Sequence, residues 1–195
     1  MSTIPAQRLD QRARGALLAH FVALTPEDRR LRFGSSLSAE GIAGYVDGID
    51  FDRDVVFAVH DDSLALVGVA HLALGDDHAE LGLSVLPACR GRGVGSALFE
   101  RGAEHARNRL VPTLFMHCLR ENAAIVHIAQ RAGMHIVTES GDADAHLELL
   151  PASAGSIAGE LKADRVALCD YALKAQVAAR KGVNGILEQA NRHTR

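Results

Sequence analysis

Between Leu81 and Leu98 the chain reads Leu-Gly-Leu-Ser-Val-Leu-Pro-Ala-Cys-Arg-Gly-Arg-Gly-Val-Gly-Ser-Ala-Leu, and this stretch holds the residues best suited to chemistry. A β-rich run stops at Pro87, a glycine-rich turn follows, and a helical pattern begins at once. The first amides of a helix have no intrahelical acceptor and lie at the positive end of its dipole, so they form a seat for a phosphate-type anion. Gly91, Gly93 and Gly95 let this backbone approach an oxygen closely, and Arg90 and Arg92 add positive charge. Two well-known phosphate loops do not fit. A dinucleotide fingerprint needs its third glycine one position later, inside a βαβ unit, and a Walker loop needs a Gly-Lys-Ser/Thr that is absent. Taken alone, a turn of this kind is often just a tight strand–helix connection.

The flanking patterns supply the elements that must position this turn. An amphipathic helix is expected from Pro5, with Leu9, Ala13, Ala16, Leu17, His20, Phe21 and Leu24 on its inner face. Thr25 and Pro26 start a second helix, with Asp28 at the capping-box position and Leu31 and Phe33 inward, and Ser38 starts a third. Strands follow at 54–60, 64–74 and 79–86, separated by Asp/Gly/Ser turns. A helix at 93–109, a strand at 113–118, and a helix from an Asn122 cap to a Gly133 stop come next. Strands at 135–138 and 143–150 are joined at Gly141-Asp142. After Pro151, Ile157, Leu161, Val166, Cys169, Leu173 and Val177 form one apolar stripe on a helix that Arg180-Lys181-Gly182 should stop. Such a tail packs on its own domain or on a second subunit.

Arg90-Gly91-Arg92-Gly93-Val94-Gly95 resembles the R/Q-x-x-G-x-G/A pyrophosphate loop of the GNAT superfamily of CoA-dependent N-acetyltransferases. The strand from Glu80 to Leu86 with Pro87 is similar to that family's fourth strand, and Asn122 with Gly133 is similar to its following N…G-[FM] segment. The resemblance spans residues 24–150. Within the superfamily, the run from Leu24 to Phe33 and Ala79-Glu80-Leu81 look most like acetyltransferase domains of bacterial protein-lysine acetyltransferases. The fold implied is α/β, with a GNAT-like mixed, mostly antiparallel sheet flanked by helices. A single domain then fills residues 1–195, with a core of about 24–150 and helical extensions at 1–23 and 151–195.

By this similarity the backbone of Leu83, Ser84 and Val85 pairs with the pantetheine arm of acetyl-CoA. The amides of Arg90, Gly91, Arg92, Gly93, Val94, Gly95 and Ser96 hold the pyrophosphate, and the Asn122 side chain reaches the pantetheine region. Acyl transfer to an amine also needs a base, a polarised carbonyl and a leaving thiolate. Glu80 is the candidate base, since similar enzymes carry a glutamate near this point; the plainer reading is a solvated carboxylate at a strand end. A backbone N–H near Val85 would polarise the carbonyl. Glu80, Gly82 and Ser84 share one face of a regular strand, and Leu81, Leu83 and Val85 share the other. Many relatives carry a tyrosine acid seven positions after the asparagine, where this chain has Ala129. Ser84, His117 and His127 are possible substitutes, or the thiolate leaves unassisted. Cys118 is conceivable as an acyl carrier but reads more readily as a small buried hydrophobe.

Composition bounds the partners. The 195 residues are 48% apolar and 23% charged, with net charge −3 from 21 basic and 24 acidic residues, so no basic surface for nucleic acid is expected. No run approaches the ~20 apolar residues of a membrane span. Three cysteines without a Cys-x-x-Cys pair point away from a disulfide framework or a zinc site and towards the cytoplasm. The expected reaction moves an acetyl group from acetyl-CoA directly to a primary amine, on a protein lysine or a small molecule, without a metal. Asp47, Asp50 and Asp52 are candidates to attract a cationic acceptor, and a homodimer through the C-terminal helix is an expected assembly. The alternatives are an acyl-CoA-binding regulatory module without turnover, and a nucleotide-binding module.

Overall fold

The computed structural model describes residues 4–139 and 142–193. One sheet of seven strands, in the order β1-β2-β3-β4-β5-β7-β6, forms its middle layer. The strands are β1 (Gln7–Leu9), β2 (Val55–His60), β3 (Leu66–Leu74), β4 (His78–Val85), β5 (Thr113–Leu119), β6 (His135–Glu139) and β7 (Asp142–Glu148). All neighbours are antiparallel except β4 and β5.

Both faces of the sheet are covered, so β2 reads as the unbroken apolar run Val55-Val56-Phe57-Ala58-Val59 rather than an alternation. Val55, Phe57 and Val59 join Leu81, Leu83, Val94, Leu98 and Phe99 in a core beneath α4 (Val94–Asn108). Val56 and Ala58 face the opposite core, made with Leu17, Phe21, Ile42 and Val46 of α1 (Arg14–Val22) and α3 (Ala39–Asp47). Between these helices lies α2 (Pro26–Phe33), capped by the Thr25 hydroxyl, which accepts from the Asp28 amide at 3.1 Å. Leu31 and Phe33 on α2 are half-buried. Ser38 caps α3 in the same way, and Asn122 caps α5 (Ala123–Arg131).

Two expectations at the chain ends are corrected. No helix starts at Pro5: Gln7–Leu9 pairs with β2 as an edge strand, with Arg8 opposite Phe57, and helical structure begins only at Gln11. Pairing with an open sheet edge outweighs a helical apolar spacing this short. At the other end, Arg180-Lys181-Gly182 does not stop the last helix, because α6 runs unbroken over Ala154–His193. An interior glycine costs a helix only about 1 kcal/mol, which a long helix absorbs. Among the α6 residues whose burial is described, Ala167 is the buried apolar one, whereas Ile157, Leu161, Val166, Leu168, Leu173 and Val177 are exposed. The expected turn at Gly141 lies outside the described residues. No described helix is long and apolar enough to cross a membrane.

Candidate active site

β4 and β5 pair in parallel at only three positions, the last joining Glu80 to Phe115. Beyond that point the two strands part. β5 then offers no partner to the edge of β4 from Leu81 to Val85, while the opposite edge stays paired with β3. A cleft of about 510 Å³ opens there, lined by Leu83, Ser84 and Val85 of β4, by the turn from Cys89 to Ser96 except Arg92, and by Asn122, His127 and neighbouring residues of α5. α2 contributes Asp28, Leu31 and Arg32 to its rim.

The turn has the geometry that its glycines suggested. Gly91 and Gly93 sit at φ +72° and +83°, where a side chain is strained. Gly93 is the N-cap of α4 and makes no side-chain cap bond. Ala97 is the first residue to donate back into the helix, to the Gly93 carbonyl at 3.0 Å, so the amides of Val94, Gly95 and Ser96 precede the ladder. A helix of 15 residues therefore opens uncapped onto the cleft.

The arginines divide. Arg90 bonds the Val85 carbonyl at 3.1 Å and pairs with Asp28 at 2.7 Å, bracing the turn against α2. Burial works against the Asp28 carboxylate, but bonds from Arg90 and Thr25 outweigh it and hold its pKa below the ordinary value. Arg92 is exposed and does not line the cleft. Asn122 lines it, with its Oδ1 committed to capping α5 through the Ile125 amide at 3.3 Å.

Glu80 lies outside the cleft lining, exposed, at the vertex where β4 and β5 separate. On its face of β4, the Arg32 guanidinium lies so close to Gly82 that a Cβ there would overlap it. Arg32 is stacked against Phe33 and Tyr45 and donates to the Tyr45 hydroxyl at 2.9 Å. That hydroxyl meets His71 Nδ1 at 2.7 Å, and His71 Nε2 meets Asp54 at 3.0 Å. Burial, with help from Arg32, lowers the His71 pKa against the opposing pull of Asp54. Asp54, rather than the loop acids Asp47, Asp50 and Asp52, enters this network; Asp50 accepts from the Asp52 amide within its own turn.

Ser84, the next residue on this face, meets His20 Nε2 at 2.8 Å, while His20 Nδ1 meets the Leu66 carbonyl at 2.9 Å. His20 is 2% exposed, and burial lowers its pKa to about 4, the Leu66 bond opposing and the Arg32 charge assisting. The ring is therefore neutral at pH 7. A carbonyl only accepts, so Nδ1 carries the proton, Nε2 is a lone pair and the Ser84 hydroxyl donates to it. Its proton thus points away from the cleft.

The other sequence candidates are placed elsewhere. Ala129 is sealed in the core. His117 is exposed and pairs with Asp144 on β7, whereas His127 stands at the cleft. Cys118 is buried with its thiol on the Ala143 carbonyl, and burial, with Asp144, raises its pKa, which disfavours a nucleophilic thiolate. Among the described residues no group of three His, Cys, Asp or Glu side chains is placed to hold a metal ion. Sequence reasoning missed Arg32 and the roles of His20, Tyr45, His71 and Asp54. The one local signal was a histidine on the apolar face of a helix.

A mixed sheet splayed beside an uncapped, glycine-started helix is the architecture of an acyl-CoA-dependent transferase. Residues 19–134 match the model of the Acetyltransferase (GNAT) family, and the chain belongs to that family, whose chemistry is acetyl transfer from acetyl-CoA. No curated protein matches the sequence. Solved structures share the fold. The GNAT domain of S. lividans PAT superposes with a TM-score of 0.64 and 23% identity, covering 74% of this chain and 89% of that one. A ribosomal-protein-alanine N-acetyltransferase from Brucella melitensis gives 0.57 and 18%, over 74% and 99%. The yncA protein of Salmonella typhimurium, in a structure with its cofactor acetyl-CoA, gives 0.57 and 15%, over 76% and 95%.

Proposed function

We propose that this protein transfers an acetyl group from acetyl-CoA directly to a primary amine, acting in the cytoplasm. The observation that carries the reading is the uncapped start of α4 opening on the same cleft as the unpaired edge of β4. The amides of the turn, with Arg90 bracing it, fit a diphosphate; Arg92 adds charge from outside the cleft. The β4 edge at Leu83, Ser84 and Val85 fits an extended amide-bearing arm such as pantetheine, and Asn122 faces the same channel. Bound there, acetyl-CoA supplies the activated acyl group.

Glu80 is the base that takes a proton from the incoming ammonium, directly or through water. Its exposed place at the parting of β4 and β5, just outside the cleft lining, supports that role. The acceptor is a protein lysine or a small amine; the resemblance of the run from Leu24 to Phe33 and of Ala79-Glu80-Leu81 to protein-lysine acetyltransferase domains supports the lysine. A second copy of the chain docks through α6, where exposed leucines support a partner.

Release of free CoA thiol is the test, with acetyl-CoA offered lysine peptides, polyamines and amino acids, and with Glu80→Gln as control. Release that depends on an acceptor and falls in the variant is expected. Tight acetyl-CoA binding without release for any acceptor overturns the reading in favour of a regulatory module. Stabilisation by ATP or NAD rather than CoA overturns it in favour of a nucleotide-binding module.

A further inference from the structure

An ammonium acceptor loses two protons on becoming an amide, while the departing thiolate gains one. Glu80 accounts for the first proton, which passes to solvent. The second must leave the nitrogen as its bond to carbon forms, and the sulfur must be protonated at about the same time. No tyrosine stands where many relatives place the acid, because position 129 is a buried alanine.

Ser84 is the residue whose bonding pattern answers both needs. It lines the cofactor cleft while only 8% exposed, between the unpaired β4 edge and α1. The Leu66 carbonyl fixes His20 as a neutral ring with its Nε2 lone pair on Ser84, so the hydroxyl proton is committed to His20. What Ser84 presents to the cleft is then its oxygen lone pairs alone. A group that only accepts recognises an N–H. A serine bonded to a histidine that is itself oriented by a third group is also the geometry that moves protons in catalytic couples.

We propose that Ser84 and His20 form a proton shuttle that carries the second proton from the amine nitrogen to the departing sulfur. Ser84 Oγ takes the proton from nitrogen as its own hydroxyl proton passes to His20 Nε2. The N–C bond forms, the C–S bond breaks and its electron pair goes to sulfur. The proton then returns from Nε2 to Oγ, and Oγ delivers its proton to the thiolate. Amine and thioester become amide and thiol with no other co-reactant, and both residues end as they began. A buried imidazolium beside Arg32 is more acidic than a thiol, so the return step runs downhill to sulfur. The inference rests on acetyl transfer taking place in this cleft.

Three readouts test it. In ligand-free protein, ¹⁵N NMR of the His20 ring should show the neutral Nδ1–H form at pH 7. With the best acceptor from the thiol-release panel, Ser84→Ala should lower kcat by about tenfold to a hundredfold, the scale of a positioned proton transfer, while the acetyl-CoA Kd changes little. The wild-type rate should bow downward with deuterium content, as two protons moving together require; Ser84→Ala should give a straight line and Ser84→Thr should restore the curve. An Nε2–H tautomer, or a Ser84→Ala enzyme with unchanged kcat and the same curvature, overturns the shuttle while acetyl transfer stands. A wild-type protein that releases no thiol with any acceptor overturns the transferase reading and the shuttle together. His20→Gln, with melting temperature followed in parallel, gives the same answer from the other member: it should match Ser84→Ala in isotope response beyond any loss of stability.

Discussion

Glu80 and His20 are both titratable groups beside β4, and their surroundings divide the work. Glu80 is exposed at the strand vertex, free to exchange protons with water, and lies outside the cofactor channel. Glu80→Gln should therefore lower kcat/KM by about a hundredfold or more, with the acetyl-CoA Kd unchanged by calorimetry. His20 is held neutral, and that has a consequence for stability. Its pKa is about 4 in the fold against an ordinary value of 6.5, so the unfolded chain binds the extra proton between these pH values. Stability is full above about pH 6.5 and is lost as pH falls towards 4, by about 3 kcal/mol. Denaturant unfolding at pH 7.5 and pH 4 should show this loss, and His20→Gln should remove that share of it. His71, also shifted down by burial, adds to the slope with the same sign. Neither histidine could be assigned from sequence. His20 sits at helical spacing with Leu17, Phe21 and Leu24, and the partner that defines it, Ser84, is 64 positions away.

The elements that were legible in the sequence are those specified within a few residues. Thr25 with Pro26, Ser38 and Asn122 cap the helices that their side chains announce, and the glycine turn starts α4 where the pattern changes period. One element decided by distant pairing was not legible: β1 exists because β2 offers an edge to Arg8 and its neighbours. The turn's backbone yields a prediction of its own. At φ +83°, Gly93→Ala places a side chain in the left-handed region, at a cost of about 1–2 kcal/mol. The strain is relieved by swinging the amides of α4 out of register with a bound diphosphate, so the acetyl-CoA Kd should rise about tenfold. Gly95→Val tests the channel instead. A Cβ at 95 already comes within 2.9 Å of Ile128 Cδ1, so the larger side chain displaces the Ile128 side chain and fills part of the cleft. Calorimetry should find binding weakened in both variants. A Kd unchanged in both removes the turn from cofactor recognition.

Across the whole molecule, α6 joins its domain through a polar seam rather than an apolar one. Glu160 bonds His105 at 2.5 Å and Asn108 at 2.7 Å, Asp164 pairs with Arg101, Tyr171 packs on His60, and Lys174 donates to the His60 carbonyl at 2.8 Å. Burial opposes the Glu160 charge, but bonds from His105 and Asn108 prevail and bring its pKa down to about 2. At roughly 100° per residue, positions 160, 164, 167, 171 and 174 fall on one face of the helix. Ile157, Leu161 and Leu168 lie on one flank of that face, and Val166, Leu173 and Val177 on the other. Leu161 and Leu168 remain 57% and 62% exposed, seven positions apart, the recurrence with which two helices meet along a seam. A twofold dimer sets one such row against its own copy and buries both at once. Light scattering after gel filtration should give twice the chain mass. Leu161→Glu with Leu168→Glu should give the monomer, with the seam, the cleft and acetyl-CoA binding intact. A wild-type chain that stays monomeric at tens of micromolar removes the row from assembly and leaves α6 as a brace that His105 and Arg101 hold against the sheet.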